Sequence, residues 1–216
     1  MPRTLAEAAR RLNARSAPRP RELALPFLVL MTDPRLGDPV AVAARLPRGA
    51  AVILRHYDDP DRAALGRRLA ALCRRRGLVL LVAGDWRLAA ALRADGLHLP
   101  EGLLRGGTVA PALGWRRRGG KLLSVAAHGA AALVRAERAG ADLALLSPIF
   151  PTRSHPGART LGPVRFGRLA RHSTAAVIAL GGVTAETTAA LLGSGAWGVA
   201  AIDGWGQATG RMSRPG

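Results

Sequence analysis

The chain has 216 residues, 49% hydrophobic and 4% aromatic, with one cysteine and a formal net charge of +18. That composition excludes a disordered chain and a disulfide or cysteine–zinc scaffold, and implies one aliphatic core in one domain or at most two. No apolar run approaches the ~18 residues of a membrane span and MPRTLAEAARRLNARSAPRPREL has no secretory apolar stretch, so a cytoplasmic protein without a membrane partner is expected. Lys121 is the sole lysine among 32 basic residues. The arginine runs at 67–68, 74–76 and 116–118 are dispersed over helix-like segments, without the clustering and stacking aromatics of a nucleic-acid interface. The charge therefore predicts attraction for anionic small molecules and no specific nucleic-acid partner.

Residues 1–22 carry an Ala/Arg helix pattern, LAEAARRLNAR, and then SAPRPRE, a basic helix and linker ahead of the main domain. From there short apolar runs alternate with amphipathic stretches. The first runs are PFLVLMT (26–32), AAVILR (50–55), LVLLVA (78–83) and GLHL (96–99). KLLSVA (121–126), LALLS (143–147), AVIAL (176–180) and WGVAA (197–201) follow. Between most of them lie helix patterns such as DPVAVAARL, PDRAALGRRLAALCRRR, DWRLAAALRA, AAALVRAERAG and TAETTAALLGSG. Gly77, Gly96, Gly140 and Gly195 sit where helices would close on a left-handed cap, and Asp38 and Thr184 where they would open. Cys73, at helical spacing in LAALCRRRG, reads as a buried small hydrophobe.

Eight strand–helix units predict parallel strands joined by crossovers, an α/β fold best met by a compact (β/α)8 TIM barrel over 23–206 with an N-terminal helical extension. Residues 207–216 read as a disordered tail. A doubly wound sheet competes, but MTDPRLGDP after the first strand is no glycine-rich fingerprint. In a barrel the chemistry gathers at the carboxyl ends of the strands. Those ends carry Thr32, Asp33, Arg55, His56, Asp85, His98, His128, the loop SPIFPTRSHPGARTLG (147–162), Gly181, Gly182, Ile202 and Asp203. The glycine pair after the seventh strand, with a helix starting near Thr184, is a candidate phosphate grip.

Taken together, LVLMTD, ILRHYDD, LLVAGD, GLHLPE, SVAAH, ADLALLSPIFPTRSHPG, IALGGV and GVAAID resemble the thiamine phosphate synthase/TenI family over about residues 26 to 204. The resemblance implies a small (β/α)8 barrel of thiamine biosynthesis. One branch joins a pyrimidine methyl diphosphate to a thiazole phosphate, using Mg2+ and expelling pyrophosphate. The other includes a thiazole tautomerase that moves a proton on a thiazole phosphate carboxylate without a metal or other cofactor.

Several synthase positions are changed. The Gln-x-Arg-x-Lys pattern reads Ile53, Arg55, Tyr57, and the Asn-Asp pair reads Gly84, Asp85. A second metal aspartate falls at Leu103, and the lysine that holds pyrophosphate at His155. Ionising a diphosphate requires a metal and prearranged cations, so these changes weigh against the transferase. Proton transfer requires a phosphate grip and one acid–base group. His128, where the TenI branch places its catalytic histidine, is the candidate catalytic residue. Arg55, Thr152, Gly181, Gly182 and Ile202 are candidates for holding a phosphorylated thiazole-like ligand. His98 and His155 are candidate pocket residues, and Asp85 is a metal ligand only in a synthase-like reading with Mg2+. Asp203, where the family offers a small hydroxyl residue, would repel a phosphate unless it faces elsewhere. A divergent synthase and a non-catalytic ligand-binding homologue stay open, as does a homo-oligomer.

Overall fold

Strands covered by helices on one side and packed on one another inside a barrel are buried on both faces, and here they read as near-continuous apolar runs. In the computed structural model, which describes residues 4–15, 25–105, 109–154, 157–203 and 205, eight such runs form parallel strands. They are β1 (Leu28–Met31), β2 (Ala51–Leu54), β3 (Val79–Ala83), β4 (Gly96–Leu99), β5 (Leu122–Ala127), β6 (Leu143–Leu146), β7 (Ala176–Leu180) and β8 (Gly198–Ala201). They pair in sequence order and β8 closes on β1, giving a closed barrel. Side chains alternate. Val29, Met31, Ile53, Leu81, Leu143, Leu145 and Ile178 form one cluster inside the barrel, with the small Ala51, Ala83, Ala176 and Ala200 among them. Leu30, Val52, Leu80, Leu97 and Val177 face the surrounding helices.

The helices are α1 (Leu5–Asn13), α2 (Pro39–Ala43), α3 (Arg62–Arg76), α4 (Trp86–Ala91), α5 (Glu101–Arg105), α6 (Ala110–Arg118), α7 (Ala130–Arg138) and α8 (Gly162–His172). Asp38 accepts from the Val40 N–H and opens α2, and Gly77 closes α3 at φ +63°. Cys73 is buried on α3, and burial pushes its thiol up to about 12. Helix α1 buries Leu5, Ala8, Ala9 and Leu12. It is tied to the amino end of β8 by Asn13 Nδ2 donating to the Trp197 carbonyl at 2.8 Å.

Two expectations are corrected. Gly96 does not cap a helix. Arg93 supplies the left-handed residue after α4, and Gly96 begins β4, where a Cβ would stand 2.1 Å from the Leu122 carbonyl oxygen. The helix expected after β7 is a 3-10 turn of five residues, Thr187–Leu191. Its threonines bond locally, Thr187 Oγ1 donating to the Gly182 carbonyl at 3.1 Å and Thr188 Oγ1 to the Thr184 carbonyl at 2.6 Å, the latter shared with the Thr188 N–H.

Candidate active site

A cavity of about 970 Å³ opens at the carboxyl ends of the strands. Arg55, His128, Thr152, Gly181, Gly182 and Ile202 all line it, together with Asp33, Arg35, Arg153 and Asp203. The glycine pair shapes its floor. At φ +94° and +64° these residues let the segment 148–151 lie against the end of β7, where Ile149 and Phe150 N–H groups donate to the Leu180 and Gly181 carbonyls, both at 3.0 Å. A Cβ on Gly182 would stand 2.4 Å from the Pro151 carbonyl oxygen. Gly182→Ala is therefore expected to cost about 2–3 kcal/mol in urea unfolding, through both the positive φ and the collision with backbone. Because the segment that follows is a short 3-10 turn, it offers no α-helix dipole to an anion. The positive charge at the cavity belongs to the guanidiniums of Arg35, Arg55 and Arg153.

Those guanidiniums are held in an ionic rim. Asp33 accepts from Arg35 Nε at 2.7 Å and Nη2 at 3.1 Å, and these bonds hold its carboxyl below the usual carboxylate range. Arg35 Nη2 also donates to Ser154 Oγ at 3.0 Å, linking the loop after β1 to the loop after β6. Arg55 Nη2 stands 3.8 Å from Asp33 Oδ2. Thr32 Oγ1 accepts from the Arg55 N–H at 3.0 Å and meets His56 Nδ1 at 3.0 Å, anchoring a turn in which buried His56 takes φ +35°. Such strain in a non-glycine residue persists only where its surroundings hold it, here the two bonds to Thr32. Asp203 is turned to Arg153, whose Nη2 donates to Oδ2 at 3.0 Å, so its charge is countered rather than bare.

At the opposite wall, His128 Nδ1 lies 2.7 Å from Glu101 Oε2, and Arg135 Nη2 donates to Glu101 Oε1 at 2.7 Å. The Glu101 side chain is 11% exposed and His128 is half exposed toward the mouth. An ionised carboxylate can only accept, so in the neutral ring this bond places the proton on Nδ1 and leaves Nε2 as the basic nitrogen. Residue order alone did not disclose Glu101 or Arg135. The available signal was the position of Glu101 just past β4, since β4 and β5 are neighbours and each ends at the mouth.

The remaining candidates lie elsewhere. His98 is not at the cavity wall. It is 2% exposed within the barrel, pairs in register with Ala83 and Ser124, and shares a 3.0 Å hydrogen bond with Ser124 Oγ. His155 falls outside the described residues. Asp85 is absent from the cavity lining. Its Oδ1 caps α4, accepting from Arg87 N–H at 2.9 Å and Leu88 N–H at 3.0 Å, and its Oδ2 faces Arg62 Nη1 at 4.0 Å. Mg2+ requires several oxygen donors in near-octahedral array. A lone carboxylate already shared between a helix cap and a guanidinium is a poor site for it, and no group of three or more potential metal-ligating side chains occurs among the described residues.

No helix among the described residues is long and apolar enough to cross a membrane. Comparison with known proteins then places the barrel. A family model described as thiamine monophosphate synthase matches residues 28–204. The thiamine biosynthesis bifunctional protein ThiED of Geobacter sulfurreducens is 32% identical over 178 residues, covering 81% of this chain, which spans 36% of that protein. A thiamine-phosphate synthase of Bacillus velezensis is 27% identical, over 84% of this chain and 83% of its own. The solved structure of thiamine phosphate pyrophosphorylase from Pyrococcus furiosus superposes with a TM-score of 0.67 and 25% identity, covering 82% of this chain and 85% of that one. With its barrel, its mouth loop and its glycine pair all inside the matched span, the chain belongs to the thiamine monophosphate synthase family.

Proposed function

We propose that the protein is a metal-independent proton-transfer enzyme acting on a thiazole phosphate, in the manner of a thiazole tautomerase. The observation that carries this reading is His128, which lines a cavity shared with three arginines and is bonded to Glu101 outside that lining. His128 Nε2 takes a proton from one position of the bound ring and returns it at another, so a π bond shifts and composition is unchanged. Glu101 holds the imidazole in the tautomer that can accept, and its charge favours the imidazolium formed midway. Arg135 donates to that carboxylate and holds it in place. Gly181, Gly182, Thr152 and Ile202 form the anion-facing floor, and Arg55 supplies charge from β2.

A second reading, thiamine phosphate synthesis, is favoured by the names of the relatives. The poor fit of the β3–β4 corner to Mg2+ weighs against it. Incubation with a thiazole phosphate carboxylate tautomer, followed by ultraviolet absorbance, is expected to show aromatisation. Parallel incubation with pyrimidine methyl diphosphate, thiazole phosphate and Mg2+ is expected to give no thiamine phosphate. Thiamine phosphate at a useful rate would overturn the proposal in favour of the synthase. Ligand-induced thermal stabilisation with neither product would identify a non-catalytic binder.

A further inference from the structure

We infer that Arg62 is a specificity-determining residue, a permanent internal cation that closes the β3–β4 corner of the mouth to divalent metal and hence to ligands that arrive as metal chelates. Arg62 is the first residue of α3, and its side chain turns inward, 13% exposed. Nη2 donates to the Ala83 carbonyl at the end of β3. The guanidinium carbon lies 5.4 Å from the centre of the Tyr57 ring, and Nη1 stands 4.0 Å from Asp85 Oδ2. The charge thus occupies the space beside Asp85, whose other oxygen is committed to capping α4.

Carbon atoms stand on the other side of Gly84. A Cβ built on Gly84 would stand 3.4 Å from Tyr57 Cε1 and 3.8 Å from Leu103 Cδ1. A divalent ion entering here would have to displace those carbons, win Asp85 from its cap and approach a fixed like charge. Guanidinium does not deprotonate in proteins, so raising the pH would not relieve the repulsion. The cavity agrees in its position, being lined by residues after β1, β2 and β5 to β8 and by none after β3 or β4. The ligands this arrangement admits are metal-free anions, and magnesium diphosphates are excluded. The inference concerns only the cation and does not depend on His128, so failure of the tautomerase assay would leave it intact.

The test is titration of the full-length protein with Mn2+, following free Mn2+ by electron paramagnetic resonance. The wild type and Leu103→Asp are expected to show no saturable site at millimolar Mn2+. The double variant Arg62→Gln/Leu103→Asp is expected to gain one site per chain, which adding Asp85→Asn removes. Arg62→Met/Leu103→Asp, which keeps the length of the stem against Tyr57, serves if the glutamine variant does not fold by circular dichroism. A wild-type site lost in Asp85→Asn would overturn the inference. So would equal binding by Leu103→Asp with Arg62 intact, or folded double variants that bind no Mn2+.

Discussion

His128→Ala is expected to lower thiazole proton transfer by roughly 10²- to 10⁴-fold, the range over which a positioned general acid–base contributes. Binding of the thiazole phosphate should change little, because the cavity's arginines and glycines follow β1, β2, β6 and β7, away from His128. Glu101→Gln should produce a smaller loss in kcat, roughly 10-fold, with KM nearly unchanged, since it perturbs the tautomer and not the grip. Nitrogen-15 chemical shifts of His128 separate this from a general structural effect. The wild type should show protonated Nδ1 and basic Nε2, and Glu101→Gln a mixture of tautomers. An undiminished rate in His128→Ala would remove the residue from the reaction.

The second large effect concerns stability in acid. Burial, helped by the Arg55 charge, pushes the His98 imidazole down to about 3, against ~6.5 in an unfolded chain. Above the unfolded value both states are neutral and His98 imposes no penalty. As pH falls below it, the unfolded chain takes up a proton that the folded barrel refuses, so stability drops until the folded value is reached. The loss from this residue is on the order of 3 kcal/mol between pH ~6.5 and ~4. Urea unfolding across that range should show a shallower slope for His98→Asn than for wild type, whatever the variant's stability at neutral pH. Parallel slopes would mean that the ring is protonated in the folded barrel.

What the chain order discloses is the part of the structure governed by local pattern. Apolar runs at 96–99 and 176–180 become β4 and β7 with the same limits, because strands shielded on both faces need continuous apolar residues. Asp38 and Gly77 terminate helices by chemistry written in the residue itself. The candidate site is less legible because its pairings span the fold. Glu101 meets His128 across 27 positions, Arg153 meets Asp203 across 50, and Arg35 meets Ser154 across 119. The first pair meets because β4 lies beside β5, and the other two because the closed barrel gathers its loops at one mouth. Asp85 illustrates a different difficulty: an aspartate before an apolar helical run is a capping signal, yet family resemblance points the same residue toward a metal. The segment at 187–191 looks helical in composition, and the local bonds of its threonine hydroxyls form only once their backbone partners are in place.

The ionic rim has a consequence for how a ligand is received. Arg35 and Arg153 already answer to Asp33 and Asp203, so an anion that bound to them would trade places with a resident carboxylate. Binding is then an exchange of counter-ions, whose free energy is the difference between two pairings. Added salt screens the pair that is given up as well as the pair that is made. Affinity at this mouth should therefore vary with ionic strength far less steeply than a chain of +18 would suggest. It should also favour anions carrying two charges, which can replace what the displaced aspartate supplied.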